Sequence, residues 1–115
     1  MQVLFVVLNK TKYLDEILAG FVKIGVKGAT ILDSQGMAGS ILDSEAEIPS
    51  FGILHSFMKD DKPYSKTIFT VVKNEEMVKK AVATVKNVLG EKARTGAGFM
   101  FSVPSGNMYL MGDAI

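Results

Sequence analysis

Val3-Leu4-Phe5-Val6-Val7-Leu8 decides the fold, because it is an unbroken apolar run rich in β-branched residues. Such a run is typical of a strand that is covered on both faces. A second run of this kind, Thr67-Ile68-Phe69-Thr70-Val71-Val72, lies in the other half of the chain. Each run is followed by a segment with helical spacing and then by a shorter apolar strand. The order strand–helix–strand is therefore predicted twice.

Both predicted helices have recognisable ends. The first covers residues 13–24, where apolar side chains recur at helical spacing, with Thr11 as its N-cap and Gly25 as its stop. The second begins after Asn74, another favourable cap, and Gly90 is predicted to end it. One apolar stripe along each helix should pack against the sheet.

Short strands at residues 29–32 and 99–103 complete the pattern. We predict an α+β, ferredoxin-like split βαβ fold (βαββαβ), with one antiparallel four-stranded sheet and two helices on one face. The first and third strands should be central, because they are the most apolar and β-branched. The 115 residues fit a single domain that spans 1–115.

A long segment, residues 36–65, joins the second and third strands. A connection of this length in a small domain is more often functional or mobile than structural. Its apolar residues allow two interpretations. Parts of it could extend the central strands or form a helical turn packed on the body, or it could be a partner-docking surface ordered on binding.

Composition excludes several classes of function. The chain has no cysteine and one histidine, His55, so disulfides, thiolate catalysis and cysteine metal sites are excluded. A net charge of +1 gives no reason to expect nucleic acid or an anionic membrane as a partner. The apolar run at residues 3–8 is too short to cross a bilayer and lacks a secretion signal, so we expect a cytoplasmic protein without membrane insertion. The spacing offers no nucleophile–base pair or carboxylate dyad, so no enzymatic activity is predicted.

The predicted sheet is apolar on both faces. In the first strand, alternate residues from Val3 point to one face and alternate residues from Leu4 to the other, and both sets are apolar. Two helices can cover only one face. Several hundred Å² of apolar surface would stay exposed on the other, more than soluble monomers usually carry. We therefore expect a second copy of the sheet to cover it in a cyclic oligomer, either a dimer or a trimer.

Two glycine-rich turns, Ser34-Gln35-Gly36-Met37-Ala38-Gly39 and Arg94-Thr95-Gly96-Ala97-Gly98, flank strands of the predicted sheet. Glycines allow close backbone approach and can present N–H groups to an anion. The alternative is that each turn simply needs a positive φ angle. Neither turn fits the dinucleotide fingerprint, which requires a strand before it and a helix after it.

These stretches resemble the nitrogen regulatory PII-type family. The opening strand and helix, the Gly25–Gly28 turn and the strand ending in Asp33-Ser34-Gln35-Gly36-Met37 look like the start of such a protein. The stretch Gly96-Ala97-Gly98-Phe99-Met100-Phe101-Ser102-Val103-Pro104 is similar to the family's Gly-Asp-Gly-Lys-Ile-Phe-x-x-Pro motif.

The resemblance implies a homotrimer of ferredoxin-like subunits that binds ATP, ADP or AMP in clefts between subunits. The 36–65 loop would change shape to control a partner, such as a membrane transporter or a metabolic enzyme. Carried over by position, the residues lining the nucleotide cleft would be Gly36, Met37, Gly39, Gly96 and Gly98.

The chain departs from the family at charged positions. Ala97 stands where the family has an acidic residue, Phe99 where it has a phosphate-binding lysine, and Tyr109 and Met111 near its C-terminal arginines. Each lost cation removes charge-assisted contacts worth roughly 1.5–3 kcal/mol. The ligand could then be a less charged nucleotide, another small anion, or none. Two other hypotheses stay open: a ligand-free oligomeric interaction module, and a small ferredoxin-like enzyme that uses His55 between subunits.

Overall fold

The two most apolar runs form the two central strands of one sheet in the computed structural model, which describes residues 1–37 and 64–112. Strand β1 spans Gln2–Leu8 and strand β3 spans Tyr64–Val72. They pair antiparallel, with Phe5 opposite Phe69. The prediction that these strands are central is confirmed.

The outer strands are β2, Thr30–Gln35, and β4, Gly98–Pro104. β2 pairs with β3 and β4 pairs with β1, both antiparallel, so the strand order is β2-β3-β1-β4. β2 runs three residues beyond its predicted end, because β3 already begins at Tyr64 and pairs with Gln35. The sheet and its two helices confirm the predicted α+β, ferredoxin-like fold.

Helix α1 spans Leu14–Lys23 and follows a 3₁₀ turn at Thr11–Tyr13. The prediction of Thr11 as N-cap is wrong, because Thr11 lies inside this turn. The Tyr13 N–H donates to the Lys10 carbonyl over 3.2 Å, so backbone groups rather than a threonine hydroxyl begin the helix. Gly25 ends the helix as predicted, with φ 93° and its N–H donating to the Val22 carbonyl.

Helix α2 spans Glu75–Arg94. The Asn74 side chain caps it as predicted, accepting a hydrogen bond from the Met77 N–H at 3.0 Å. Gly90, with φ 67° and ψ 176°, leaves the helical conformation and breaks the helix, so the prediction that the regular helix ends there is confirmed. One more helical turn follows, and its Ala93 is buried, so packing holds this turn against the body.

The core lies between the two helices and one face of the sheet. Its main members are Leu4, Val6, Leu8, Ile17, Phe21, Ile68, Val72, Ala81 and Val85. Fully burying one such aliphatic or aromatic side chain contributes about 1.5–3 kcal/mol. The helices approach closely where Gly20 of α1 faces the Thr84 methyl group of α2. Within residues 1–37 and 64–112, no helix is long and apolar enough to cross a bilayer.

Candidate functional site

The sheet face opposite the helices, called here the open face, is apolar across three strands. The strand register places its side chains in rows: Val71-Val3-Val103, Phe69-Phe5-Phe101 and Thr67-Val7-Phe99. Phe99 is 60% exposed and Phe101 45% exposed. The described chain thus presents a continuous apolar surface on this side, as expected from the alternation in the sequence.

The aromatic rings of the open face are already ordered against one another. Phe5 and Phe101 stack with ring centroids 4.7 Å apart and an interplanar angle of 11°. Phe69 lies 6.0 Å from Phe5, and Phe99 lies 6.2 Å from Phe101. Such pairs contribute about 0.5–1.5 kcal/mol beyond their buried area. Because the rings are preorganised, a surface that covers them immobilises few further rotamers.

The β2 side of the same face carries hydroxyl groups. Ser34 Oγ lies 2.6 Å from Ser65 Oγ and 2.8 Å from Thr67 Oγ1. Ser65 is 7% exposed, so this cluster is largely withdrawn from solvent. The open face is therefore divided into an apolar part over β4, β1 and the Phe69–Val71 end of β3, and a small hydrogen-bonded part where the start of β3 meets β2.

The two glycine turns lie at the same end of the sheet but at opposite edges. Gly36 follows β2, and Gly98 begins β4. The register joins Asp33 to Lys66, Lys66 to Leu8, and Leu8 to Gly98, which crosses all four strands. Three interstrand spacings amount to about 14 Å. One chain therefore does not bring the two turns into a single site.

The predicted site residues have different surroundings. Met37 is 71% exposed at the β2 edge, and Gly36 and Gly96 are exposed as well. Gly39 lies outside the described residues. So does His55, together with most of the 36–65 segment. The role of these glycines in binding a ligand stays a prediction.

Backbone conformation explains why glycine occupies two positions of the second turn. Gly96 has φ 71° and Gly98 has φ 130°. A Cβ atom at Gly98 would overlap the Val7 carbonyl oxygen, because β4 approaches β1 there. The interpretation that a glycine turn needs positive φ is thus confirmed for this turn, but it is wrong for Gly36 of the first turn, whose φ is not positive.

Neighbouring backbone groups use part of the same turn. The Ala97 carbonyl accepts from the Asn9 N–H at 2.7 Å, and the Ala97 N–H donates to the Arg94 carbonyl at 3.2 Å. The Asn9 side-chain amide also donates to the Gly96 carbonyl at 3.4 Å. Because the Ala97 N–H already donates a hydrogen bond within the chain, it is less available to bind an anion.

The positions at which this chain departs from the PII-type pattern carry uncharged side chains that differ in solvent exposure. Ala97 is 5% exposed, whereas Phe99 is part of the open face. Tyr109 is 83% exposed. The start of β4 thus presents an exposed aromatic ring and no cation.

A cleft opens between the two turns, at the end of the central strands. It has a volume of about 590 Å³ and is lined by Asn9, Lys10, Thr11, Lys12, Tyr13, Tyr64, Lys92 and Ala93. We call it the lysine cleft. Its lining residues were not predicted to form a site, although the pair Lys10 and Lys12 directly after a buried strand was a usable signal. Only the fold brings Tyr64 and Lys92 to the same place.

In residues 1–37 and 64–112, no group of three His, Asp or Glu side chains is placed to hold a metal ion.

The chain matches no protein-family model, and no curated protein matches it. The likeness to the PII-type family thus rests on the residues around 28–39 and 94–104 and on the layout of the fold.

Proposed function

We propose that this protein is a PII-like regulatory subunit that works as a homotrimer and senses a small ligand between its subunits. The observation that carries the proposal is the open face, whose apolar rows have no cover within the described chain. The largest apolar patch of a typical monomer is about 300–600 Å² and is often functional. A cyclic assembly in which each copy turns its open face toward the other copies would cover these rows with matching chemistry.

The placement of the glycine turns supports a site shared between subunits. Gly36 and Gly98 lie at opposite edges of one sheet end. A cyclic assembly that brings the β2 edge of one copy beside the β4 edge of the next would join them. Gly36, Met37, Gly39, Gly96 and Gly98 would then line one cleft, and ATP, ADP or AMP is the ligand class that the resemblance implies.

The segment that follows Gly36 would transmit the signal. Ligand bound at its base would stabilise one of two conformations of the 36–65 segment, and only one would bind the regulated transporter or enzyme. In this proposal the protein controls a partner and performs no covalent chemistry of its own.

Sedimentation velocity at micromolar concentration tests the assembly. The native protein should sediment as a trimer, and Phe101→Lys, which puts a charge on the open face, should sediment as a folded monomer. Val22→Lys is the matched control, because Val22 is 73% exposed on α1, away from the open face. A native protein that is monomeric at this concentration would refute the proposal.

Calorimetry tests the ligand. Titrations with ATP, ADP and AMP should give saturable heat with the native protein and a weaker signal with Gly36→Ala. This variant should fold normally, because among the described residues nothing lies within 4 Å of the added Cβ. If none of the three nucleotides gives heat, the nucleotide part of the proposal fails.

A ligand-free interaction module is the second candidate. Two observations favour it: the Ala97 N–H already donates to the Arg94 carbonyl, and Phe99 stands where the PII-type family has its lysine. This candidate predicts the same trimer without nucleotide heat, and it predicts that Gly36→Ala changes neither assembly nor partner binding.

A further inference from the structure

We propose that the lysine cleft binds a small anion that carries two or more phosphate groups, within a single subunit. This site is separate from the glycine turns and does not depend on the trimer, since one chain supplies all of its described lining.

Backbone contacts hold the cleft in shape before any ligand arrives. The Asn9 N–H donates to the Ala97 carbonyl, and the Asn9 side chain donates to the Gly96 carbonyl. These bonds tie the segment that follows β1 to the turn that precedes β4. The 3₁₀ turn from Thr11 to Tyr13 then sets the direction of Lys10 and Lys12. Preorganised groups lose less entropy on binding than mobile ones.

The third lysine arrives from a different element. Lys92 lies in the helical turn that follows the Gly90 interruption of α2, and the buried Ala93 anchors that turn. A straight continuation of the helix would have sent Lys92 in another direction. The Gly90 break, which the sequence predicted as a helix end, thus helps to build the cleft.

The charge in the cleft has one sign. Lys10, Lys12 and Lys92 line it, and no carboxylate is among its described lining residues. The whole chain carries a net charge of only +1, so this is a local concentration of cations. Lysine ammonium groups bind phosphate as point charges, and a polyanion would relieve their mutual repulsion.

The size of the cleft and its aromatic walls suit a ligand larger than a single phosphate. The volume of about 590 Å³ is within the range of about 300–1,000 Å³ typical of small-molecule sites. Tyr13 and Tyr64 form part of the wall, and the Lys12 ammonium lies 5.3 Å from the centre of the Tyr13 ring. That cation–π contact holds one of the three charges near the cleft.

Calorimetry with inorganic anions tests the inference directly. The full chain is titrated with sodium tripolyphosphate, pyrophosphate, phosphate and citrate at about 50 mM and about 200 mM salt. We expect affinity to fall in the order tripolyphosphate, pyrophosphate, phosphate, and to weaken at the higher salt concentration. Citrate, a polycarboxylate, should bind more weakly than tripolyphosphate. Absence of tripolyphosphate binding, or tighter binding of citrate, would overturn the proposal.

Two triple variants with equal loss of charge separate a site from general attraction. Lys10→Gln/Lys12→Gln/Lys92→Gln should weaken tripolyphosphate binding by at least about tenfold. Lys23→Gln/Lys79→Gln/Lys80→Gln, whose side chains are exposed outside the cleft, should retain the native affinity. Equal weakening in both triples would mean non-specific attraction and would refute the site.

Further controls distinguish failure of this inference from failure of the proposed function. Tripolyphosphate binding should survive in Gly36→Ala and in monomeric Phe101→Lys. Circular dichroism reports whether each variant is folded. If the cleft triple does not fold, Lys92→Gln alone should weaken binding at least about threefold, because Lys92 is exposed and its replacement removes little packing. Unchanged affinity in folded Lys92→Gln would count against the proposal.

Discussion

The two faces of the sheet are built from the same strands and have nearly the same apolar composition, yet only one is covered. In β1, Leu4, Val6 and Leu8 are 1–2% exposed beneath the helices. On the other face, Phe99 and Phe101 of β4 are 60% and 45% exposed. Alternating apolar residues therefore indicate that both faces are suited to burial, but not what buries each of them.

Chain connectivity explains the asymmetry. Each helix links two strands of the same sheet, and crossovers of one hand place both helices on the same side. Phe21 of α1 and Val85 of α2 accordingly share one core. Neither helix therefore lies over the open face.

The largest effect should come from removing a core side chain that the helices supply. Phe21 is 2% exposed, so Phe21→Ala should lower the free energy of unfolding by about 3–5 kcal/mol. The neighbouring Val22→Ala, at a position 73% exposed, should change it by less than about 0.5 kcal/mol. Urea unfolding followed by circular dichroism measures both. Equal effects would contradict the assignment of the covered face.

The next effect concerns the junction that holds β4, and with it two phenylalanines of the open face, against β1. Gly98→Ala forces a Cβ into the Val7 carbonyl at φ 130°, and strain plus overlap should cost about 2–4 kcal/mol. Gly106→Ala is the control, because among the described residues nothing lies within 4 Å of its Cβ. A Gly98→Ala protein of native stability in urea would mean that β4 does not approach β1 this closely.

Adjacent valines on opposite faces offer a chemically identical pair of substitutions. Val6 is 2% exposed on the covered face, and Val6→Ala should cost about 2 kcal/mol through lost burial and the cavity left behind. Val7→Ala should cost less than about 1 kcal/mol in the isolated subunit but should weaken self-association.

Urea unfolding and sedimentation, each over a range of protein concentrations, separate the two consequences. If Val7→Ala leaves self-association unchanged, the open face is not the interface between copies.

The smallest effect should come from the ion pair at the margin of the covered face. Lys66 and Asp33 pair across β3 and β2, with side chains 35% and 85% exposed. Lys66→Gln should therefore change stability by only about 0–1 kcal/mol, and the change should shrink as salt is added. A larger loss in urea unfolding at high salt would show that the helices shield this edge more than its exposure indicates.

Local patterns predicted the elements better than their ends. The strands around Phe5 and Phe69 and the Asn74 cap were recognisable because each depends on a short stretch of chain. The Thr11 cap failed because a 3₁₀ turn competes for the same backbone groups. The helical turn after the Gly90 break was not predicted, because it depends on the packing of Ala93 against the body.

The candidate sites divide in the same way. Gly96 and Gly98 were identified from their own turn, and their positive φ angles follow from it. The separation of Gly36 from Gly98 follows from the strand order, which the two most apolar runs indicated by their predicted central position. The lysine cleft was missed because its walls come from residues 9–13, 64 and 92–93, which are far apart in the chain.

The sequence alone determined that this chain forms strands apolar on both sides and helices apolar on one, because side-chain periodicity depends only on local backbone geometry. Tertiary structure alone decided which face the helices cover and that three lysines line one cleft. Those outcomes depend on register and crossover between distant segments, and local periodicity contains no information about distant pairing.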